Sequence, residues 1–253
     1  MNISGNTILV TGGGSGIGRA LAEALQKLGN QVVIAGRRQS ALDETTAANP
    51  GMKSLLLDIE NPVSIKALLK EAASAFPTLN VLVNNAGIMK AEDLNAEAID
   101  VAKSESIVAI NLLGPIRLTA ALLPLLKKQP KATIINVSSG LAFVPLTLTP
   151  TYCATKAAIH SYTQSLRYQL RGTSVEVLEL IPPYVATDLM GGASDPRAMP
   201  LADFISETMT ILKQQPTPPE ICVERVKPLR FAARDGQYDG IFQGMNAALA
   251  DVH

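Results

Sequence analysis

The sequence predicts one α/β domain in which a doubly wound parallel sheet of six or seven strands is flanked by helices. Its 253 residues, 47% of them apolar, are enough for one large domain with a sizeable core. Short apolar runs alternate with longer helical patterns, and the runs lack the polar alternation of half-exposed strands. Strands separated by helices form parallel sheets through right-handed crossovers. We therefore expect a single domain over residues 1–253.

Six apolar runs are the predicted strands, and they lie at 7–10, 32–35, 54–57, 81–83, 133–137 and 175–180. Helical patterns lie at 17–28, 39–48, 63–75, 98–127 and 151–170, and a further one follows at 201–215. The stretch 188–218 falls at the carboxyl edge of the sheet, where ligands bind in such folds. We interpret it as a substrate loop and helix, with a plain connecting excursion as the alternative. The C-terminal stretch 236–253 predicts an amphipathic helix or a loose tail.

Composition excludes several classes of function. The 22 basic and 22 acidic residues give zero net charge, which argues against a general nucleic-acid or anionic-membrane surface. Cys153 and Cys222 lie far apart, so we expect no metal site, no disulfide scaffold and a cytoplasmic protein. Neither a signal peptide nor an uninterrupted membrane helix is predicted. We interpret the acidic residues between 92 and 105 as a solvated stretch and His160 as a packed histidine.

A glycine-rich turn, TGGGSGIG at 11–18, follows the first predicted strand and opens the first predicted helix. Gly12, Gly16 and Gly18 allow a tight turn, a close approach of backbone N–H groups to a pyrophosphate, and close packing of the helix on the sheet. The helix N-terminus adds a partial positive charge to those donors. This order predicts a dinucleotide site in a Rossmann-like domain, whereas a glycine turn without a ligand is the alternative.

Two arginines, Arg37 and Arg38, follow the second predicted strand, where an acidic residue commonly binds the adenine ribose. Gly36 offers no such acceptor, and guanidinium groups suit a 2′-phosphate. The pair predicts NADP(H) as the cofactor, with Arg37 as the main phosphate ligand and Arg38 as a helper. A solvated basic helix start is the alternative, although arginines at that position oppose the helix dipole.

Tyr152 and Lys156 lie four residues apart in a predicted helix and therefore share one face. A lysine ammonium stabilises a nearby phenolate, so the pair predicts an acid–base tyrosine whose pKa is lowered from about 10. Ser138 and Ser139 end the fifth predicted strand, where a hydroxyl can bind a substrate carbonyl. Asn111 stands among apolar residues and requires a specific partner. Each feature alone also fits an ordinary helix, turn or core position.

Together these motifs resemble the short-chain dehydrogenase/reductase family over residues 1–190. The matching features are TGGGSGIG at 11–18, Asp58, NNAG at 84–87, Asn111, NVSS at 136–139, Tyr152 and Lys156. The resemblance implies that Tyr152 is the general acid/base and that Ser139, rather than Ser138, polarises the carbonyl. It also implies that Lys156 lowers the pKa of Tyr152 and holds the nicotinamide ribose, while Asn111 supports a water-linked proton relay. Shorter stretches are similar to a bacterial oxidoreductase branch labelled for teichoic-acid D-alanine esterification.

The resemblance also implies a set of cofactor contacts. Asp58 and Ile59 are expected at the adenine, and Val185 and Thr187 at the carboxamide and phosphate. The full expected set is Gly12, Ser15, Gly16, Ile17, Gly18, Arg37, Arg38, Asp58, Ile59, Asn85, Ala86, Gly87, Tyr152, Lys156, Pro182, Val185 and Thr187.

Two stretches depart from the family pattern. Pro183 replaces the usual glycine after the sixth predicted strand, which leaves the geometry of that loop open. The stretch 236–253 lacks the apolar seventh strand of the family, so the sheet-edge contact of a tetramer is not predicted. We still expect a homodimer or homotetramer through the helices at 98–127 and 151–170.

The predicted function is an NADPH-dependent carbonyl reductase, reversible as an alcohol dehydrogenase. Its substrate is expected to be a small or medium ketone, aldehyde or diketone in an apolar pocket. The expected lining is Leu141, Phe143, Val144, Leu146, Tyr184 and Met190. The alternatives are an NADP(H)-binding regulator without turnover and a non-redox epimerase or dehydratase on the same scaffold. The four catalytic-type residues argue against a regulator.

Overall fold

A seven-stranded parallel sheet forms the centre of the computed structural model, which describes residues 1–191 and 195–250. Its strands are β1 (Thr7–Thr11), β2 (Gln31–Gly36), β3 (Lys53–Leu56), β4 (Leu79–Asn84), β5 (Ala132–Val137), β6 (Val175–Ile181) and β7 (Glu220–Cys222). They are ordered β3-β2-β1-β4-β5-β6-β7, and every neighbouring pair is parallel. The order reverses between β1 and β4, which is where doubly wound sheets bind ligands. The predicted fold class is confirmed.

Helices cover both faces of the sheet. They are α1 (Gly16–Gln26), α2 (Gln39–Ala48), α3 (Pro62–Ala75), α4 (Val101–Val108), α5 (Gly114–Leu126), α6 (Pro150–Leu170), α7 (Leu201–Leu212), α8 (Lys227–Arg230) and α9 (Tyr238–Ala250). One core layer includes side chains of α1 and α7, and the opposite layer includes side chains of α3, α5 and α6. The uninterrupted apolar runs of the central strands therefore serve two cores at once.

The predicted helix at 98–127 is divided into two α-helices by a π-helical segment, Ala109–Leu113. Pro115 has no backbone N–H, so it cannot donate to the Asn111 carbonyl as the α-helical pattern requires. The N–H of Gly114 donates instead to the Ala109 carbonyl, five residues earlier. Side-chain periodicity alone does not reveal this change of register.

The α4–α5 unit, Val101–Leu126, is long and apolar enough to cross a membrane by length and composition alone. Part of this apolar surface belongs to the protein core, whereas Val101 and Leu113 are exposed. Ile107, Leu118, Leu122 and Leu126 are fully buried, and the last three pack in the same layer as α3.

The seventh strand lies upstream of the place where the family pattern would put it. β7 pairs with β6, and its central residue Ile221 is fully buried opposite Leu180. Three residues are too few to show a strand pattern in the sequence. The C-terminal stretch instead forms α9, which is the helical alternative predicted for it.

The stretch predicted as a substrate insertion, 188–218, divides into two parts. Phe204, Met209 and Leu212 of α7 are buried in the same core layer as α1. This helix therefore contributes to the core, and a role in covering the substrate stays a prediction for the part before it. Residues 192–194 of that part lie outside the described residues.

We expect Phe204→Ala to lower the free energy of unfolding by about 3–5 kcal/mol, because Phe204 is fully buried and its loss leaves a cavity. Urea unfolding followed by circular dichroism measures the change. Val63→Ala on α3 is the matched control, since Val63 is 72% exposed and its truncation should cost less than about 0.5 kcal/mol. Equal losses in both variants would contradict the assignment of α7 to the core.

Candidate active site

Three of the four predicted catalytic side chains, those of Ser139, Tyr152 and Lys156, come together where β5 ends against α6. Ser139 lies two residues beyond β5, and Tyr152 and Lys156 share one face of α6. All three residues are buried, with exposed fractions of 7%, 6% and 5%. The Lys156 Nζ lies 5.6 Å from the centroid of the Tyr152 ring and donates a hydrogen bond of 2.8 Å to the Val137 carbonyl. The pair is therefore fixed to the edge of the sheet.

Burial acts in opposite directions on the two ionisable groups. It raises the pKa of Tyr152 to about 12, and hydrogen bonding to Ser139 only partly opposes this change. It lowers the pKa of Lys156 to about 8, against the negative charge of Glu179. Desolvation penalises the charged form of both groups. The protein alone thus holds a protonated phenol, whereas the sequence predicted a lowered tyrosine pKa, because it did not show how deeply the pair is buried.

Asn111 lies in the π-helical segment and is buried, as a polar residue with specific partners. Its Oδ1 accepts a hydrogen bond from the Ile88 N–H, and its Nδ2 donates to the Ile88 carbonyl, both at 2.8 Å. The side chain therefore holds the loop that follows β4 against the helix carrying Asn111. Its predicted part in a proton relay stays a prediction.

The glycine-rich turn has the shape that a pyrophosphate requires. Gly12 has a φ of +68°, and a Cβ there would lie 3.0 Å from the Ala86 Cα. A Cβ on Gly18 would lie 2.4 Å from the Gly12 carbonyl oxygen, so helix and turn pack closely only with glycine. Ser15 caps α1 without a side-chain hydrogen bond, which leaves the first helical N–H groups to a ligand. The turn therefore fits a dinucleotide.

A sequence profile described as short chain dehydrogenase matches residues 6–198. The chain belongs to the short-chain dehydrogenase family.

Known proteins are similar to this short-chain dehydrogenase over nearly their whole lengths. The uncharacterized oxidoreductase DltE of Bacillus subtilis is 41% identical over 251 residues, which cover 97% of this chain and 98% of that protein. A short-chain dehydrogenase from Burkholderia cenocepacia, solved with NADP, is 25% identical with a TM-score of 0.81, covering 97% and 99% of the two chains. The 3-ketoacyl-(acyl-carrier-protein) reductase from Brucella melitensis, solved with NADH, is 27% identical with a TM-score of 0.79, covering 89% and 100%.

In this short-chain dehydrogenase, Thr11 joins the ends of β1 and β4. Its hydroxyl accepts hydrogen bonds of 3.0 Å from the N–H groups of Asn85 and Ala86 and donates to the Val83 carbonyl. The Asn85 side chain donates to the Thr11 carbonyl at 2.9 Å. Asn85 and Ala86, predicted as cofactor contacts, therefore also shape the glycine-rich turn. Gly87 follows them and lies beside the Asn111 side chain.

The two arginines after β2 are exposed but differ in their contacts. Arg38 is the N-cap residue of α2, and its guanidinium donates to the Ser15 Oγ at 3.1 Å. This contact brings a positive charge to the glycine-rich turn that Ser15, Gly16 and Ile17 complete. The side chain of Arg37 makes no hydrogen bond or ion pair with the residues that the structure describes. Arg38, predicted as the helper, is thus the one held beside the turn.

Asp58 and Ile59 lie just beyond β3, at the same edge of the sheet. Asp58 donates its N–H to the Ser64 Oγ and accepts the N–H of Glu60. Ile59 is buried, and its side chain packs against Gly114 at the start of α5. Their predicted contacts with adenine stay predictions.

The loop after β6 faces the glycine-rich turn from the other side. Pro182 accepts the N–H of Gly140 at 2.8 Å, and Val185 forms a parallel bridge with Met199. A Cβ on Gly16 would lie 3.5 Å from the Thr187 Cγ2, so Thr187 stands directly beside the turn. The loop lies beside the glycine-rich turn, with Pro183 at the position where the family has glycine.

An apolar cavity of about 560 Å³ is lined by Cys153 and Ala154, the residues that follow Tyr152 in α6, while Ser139, Tyr152 and Lys156 are not among its lining residues. Three of the six predicted pocket residues line it, namely Leu141, Phe143 and Leu146. Its other walls come from Leu94, Ala142, Pro145, Thr147, Pro150, Cys153, Ala154, Ala157, Tyr238 and Phe242. Of the remaining predicted residues, Val144 is fully buried and Tyr184 is 44% exposed, while the Met190 side chain lies outside the described residues. The cavity thus involves α9, which the sequence did not link to the site.

The sequence predicted that Glu92 belongs to a solvated acidic stretch. The structure instead places its carboxylate in specific hydrogen bonds. Its carboxylate accepts the Thr151 N–H at 3.0 Å and the Thr151 hydroxyl at 2.8 Å, in the first turn of α6. The Ser104 hydroxyl donates to it at 2.5 Å. These hydrogen bonds lower the pKa of Glu92, although partial burial opposes them. The carboxylate fixes the helix start directly before Tyr152, and this 59-residue separation explains why the sequence gave no signal.

We expect Glu92→Gln to lower the free energy of unfolding by about 1 kcal/mol at pH 7, because a carboxylate at a helix N-terminus is lost. The folded-state pKa lies below the ordinary value of 4.5, so this stabilisation is complete above that value and is lost as the pH falls through the folded pKa. Urea unfolding at pH values between 3 and 7 measures the difference in free energy of unfolding between the variant and the wild type. This gap should narrow as the pH falls. Glu97→Gln, an exposed change nearby, is the control. A gap that stays constant with pH would contradict this role of Glu92.

Proposed function

We propose that this chain is an NADPH-dependent carbonyl reductase, reversible as an alcohol dehydrogenase. The observation that carries the proposal is the buried set of Ser139, Tyr152 and Lys156 beside a glycine-rich turn suited to a dinucleotide. A ketone or aldehyde oxygen placed between the two hydroxyl groups meets a hydrogen-bond donor and an acid. The adjoining apolar cavity supports a substrate with an apolar body.

Ser139 is oriented to bind the carbonyl oxygen. Its Oγ accepts the N–H of Leu141 at 3.1 Å, and its own O–H proton, which the structure directs to Tyr152, is donated to the carbonyl oxygen when substrate binds. A hydrogen bond to the carbonyl oxygen strengthens as negative charge develops there. Ser139 therefore orients and polarises the carbonyl in this proposal.

Tyr152 supplies the proton and Lys156 stabilises the resulting phenolate. A bound NADPH supplies the hydride that reduces the carbonyl carbon. The raised pKa of Tyr152 means that the phenol carries its proton at neutral pH, as an acid must. The Lys156 ammonium uses one of three donors on Val137, which leaves two for the cofactor ribose. In the oxidative direction, Tyr152 requires a lower pKa, to which the positive charge of an oxidised nicotinamide nearby contributes.

The preference for NADP(H) rests on this chain's own residues. Solved relatives carry NADP in one case and NADH in another, so family membership leaves the choice open. Gly36 offers no acceptor for a ribose 2′-hydroxyl, while Arg37 and Arg38 offer two guanidinium groups to a phosphate. Arg38 already contacts Ser15 in the turn, which favours a joint role over one for Arg37 alone.

We also propose that the chain forms a homo-oligomer through the outer faces of α4, α5 and α6. Val101 and Leu113 are exposed large apolar residues on this surface, and Tyr168 lies on α6. Isologous pairing would cover such side chains in a dimer.

We expect Tyr152→Phe to reduce the turnover of carbonyl substrates by at least about 10²-fold, because the proton donor is removed. Loss of absorbance at 340 nm with a panel of ketones, aldehydes and diketones measures turnover. The affinity for NADPH, followed by its fluorescence, should stay within about twofold, since the ring is retained. Unchanged turnover would remove Tyr152 from the mechanism. Failure of every carbonyl to accelerate NADPH loss in the wild type would reject the reductase and leave the regulator without turnover and the non-redox enzyme as alternatives.

We expect Arg37→Ala and Arg38→Ala each to weaken NADPH binding by about tenfold, because each removes a charge-assisted contact worth about 1.5 kcal/mol. NADH lacks the 2′-phosphate, so its affinity should change by less than about twofold. Fluorescence titration with both cofactors measures the two constants. Arg234→Ala, which changes an exposed arginine paired with Asp235, is the control. An equal loss for NADPH and NADH would contradict phosphate recognition.

A further inference from the structure

A buried carboxylate lies behind the catalytic residues without a part in the proposed reaction. Glu179 on β6 is fully buried. It accepts a hydrogen bond of 2.5 Å from the Ser138 Oγ and one of 2.8 Å from the His160 Nδ1. Ser138 directly precedes Ser139, and His160 follows Lys156 by one helical turn. Glu179 therefore connects the two segments that carry the catalytic side chains.

The His160 ring joins Glu179 to α6. Its Nδ1 lies 2.8 Å from a Glu179 carboxylate oxygen, and its Nε2 lies 3.0 Å from the Gln164 Nε2. Ser138 from β5 and His160 from α6 therefore hold the Glu179 carboxylate between the strand end and the helix.

Charged groups approach Glu179 from α6, β7 and α8. Glu220 lies beside it in the β6–β7 register, and oxygen atoms of the two carboxylates and a ring nitrogen of His160 lie within 4.8 Å of one another. Arg230 holds both oxygens of Glu220, at 2.7 and 2.9 Å. The Arg167 guanidinium donates to the carbonyls of Val177 and Pro219, and the thiol of Cys222 has a raised pKa.

The charged groups of this cluster form two pairs, Glu220 with Arg230 and Glu179 with Lys156. Glu220 is compensated by Arg230, which also makes the group unsuitable for a metal ion because both carboxylate oxygens are occupied. Glu179 has no arginine partner of this kind and is held by Ser138 and His160. The Lys156 ammonium lies on the neighbouring strand end, because it donates to the Val137 carbonyl and Val137 lies opposite Leu180, the residue after Glu179.

We propose that Glu179 is a positioning residue of the active site, whose carboxylate, fixed by Ser138 and His160, keeps the buried Lys156 ammonium charged. Complete burial alone favours a neutral amine, and a neutral amine stabilises no phenolate on Tyr152. The electrostatic statement stands on the contacts that bring both groups to the ends of β5 and β6, namely Lys156 with Val137 and Glu179 with Ser138. Its consequence for catalysis rests on the proposed function.

The size of the effect follows from the surroundings of Lys156. Burial lowers its pKa to about 8, and the charge of Glu179 already opposes that change. An opposite charge nearby typically changes a pKa by about 1–3 units. Without Glu179, the pKa of Lys156 would therefore fall further below its ordinary value.

The direct test is a titration of Lys156 by nuclear magnetic resonance in protein labelled with [¹³Cε]lysine. The resonance is assigned by its loss in Lys156→Met. In Glu179→Gln, which keeps the shape and removes the charge, the pKa of Lys156 should fall by about one unit or more. Glu176→Gln is the matched control on β6, because Glu176 is half-exposed and pairs with the N-terminal ammonium. A pKa of Lys156 that is the same in Glu179→Gln and the wild type would overturn the proposal.

A second variant should change the pKa of Lys156 in the opposite direction, and it tests the proposal if Glu179→Gln does not fold. Arg230→Gln removes the cation from Glu220, an oxygen of which lies within 4.8 Å of an oxygen of Glu179. Only Glu220 loses its partner in this variant, and its negative charge beside Glu179 should raise the pKa of Lys156 by about half a unit. An unchanged or lowered pKa in Arg230→Gln would then reject the role of this cluster.

Kinetics distinguish a positioning role from a packing defect. In Glu179→Gln, the alkaline limb of kcat/KM should move to lower pH by the same amount as the pKa of Lys156. A packing defect would lower kcat/KM by one factor at every pH and leave the limb in place, which would contradict the catalytic part of the proposal. If the wild type reduces no carbonyl, the proposed function fails, while the resonance titration still decides whether Glu179 controls Lys156.

Discussion

The hydrogen bond from the Lys156 ammonium to the Val137 carbonyl is the constraint on which the candidate site depends. A buried amine requires an acceptor, and the last carbonyl of β5 provides one at 2.8 Å. This contact fixes α6 against the end of the strand. Ser139 follows that strand end by two residues, and Tyr152 precedes Lys156 by one helical turn. The distance between the two catalytic hydroxyl groups is thereby set by the packing of one helix on one strand.

The cofactor side of the site is built from backbone at the same sheet edge. Thr11 links the end of β1 to the loop after β4, and Asn111 holds the next residues of that loop at Ile88. The side chains of Thr11 and Asn111 thus stabilise these loops, in addition to any role in binding a ligand. Gly12 admits this close approach because a Cβ would meet the Ala86 backbone at 3.0 Å. The switch point between β1 and β4 is therefore lined largely by closely packed main-chain atoms.

Local patterns were sufficient to predict the sheet and the meeting of Ser139, Tyr152 and Lys156, because parallel strands place their carboxyl ends at one edge. They were insufficient wherever a partner is distant along the chain. Glu92 contacts Thr151 across 59 residues, and Glu179 contacts Ser138 across 41. The π-helical segment and the three-residue β7 also leave no periodic signal. Burial, which decides both pKa shifts, is itself a property of the assembled fold.

Two carboxylates outside the familiar motifs complete the control of α6. Glu92 holds its first turn, and Glu179 holds its middle through His160. Their surroundings differ, because Glu92 is partly exposed and accepts one backbone N–H and two hydroxyl groups, whereas Glu179 is fully buried and contacts Ser138 and His160. Enclosing a tyrosine and a lysine together favours the neutral form of both. A site that needs a protonated phenol and a charged amine at the same pH must therefore add a fixed negative charge near the amine, and β6 provides it.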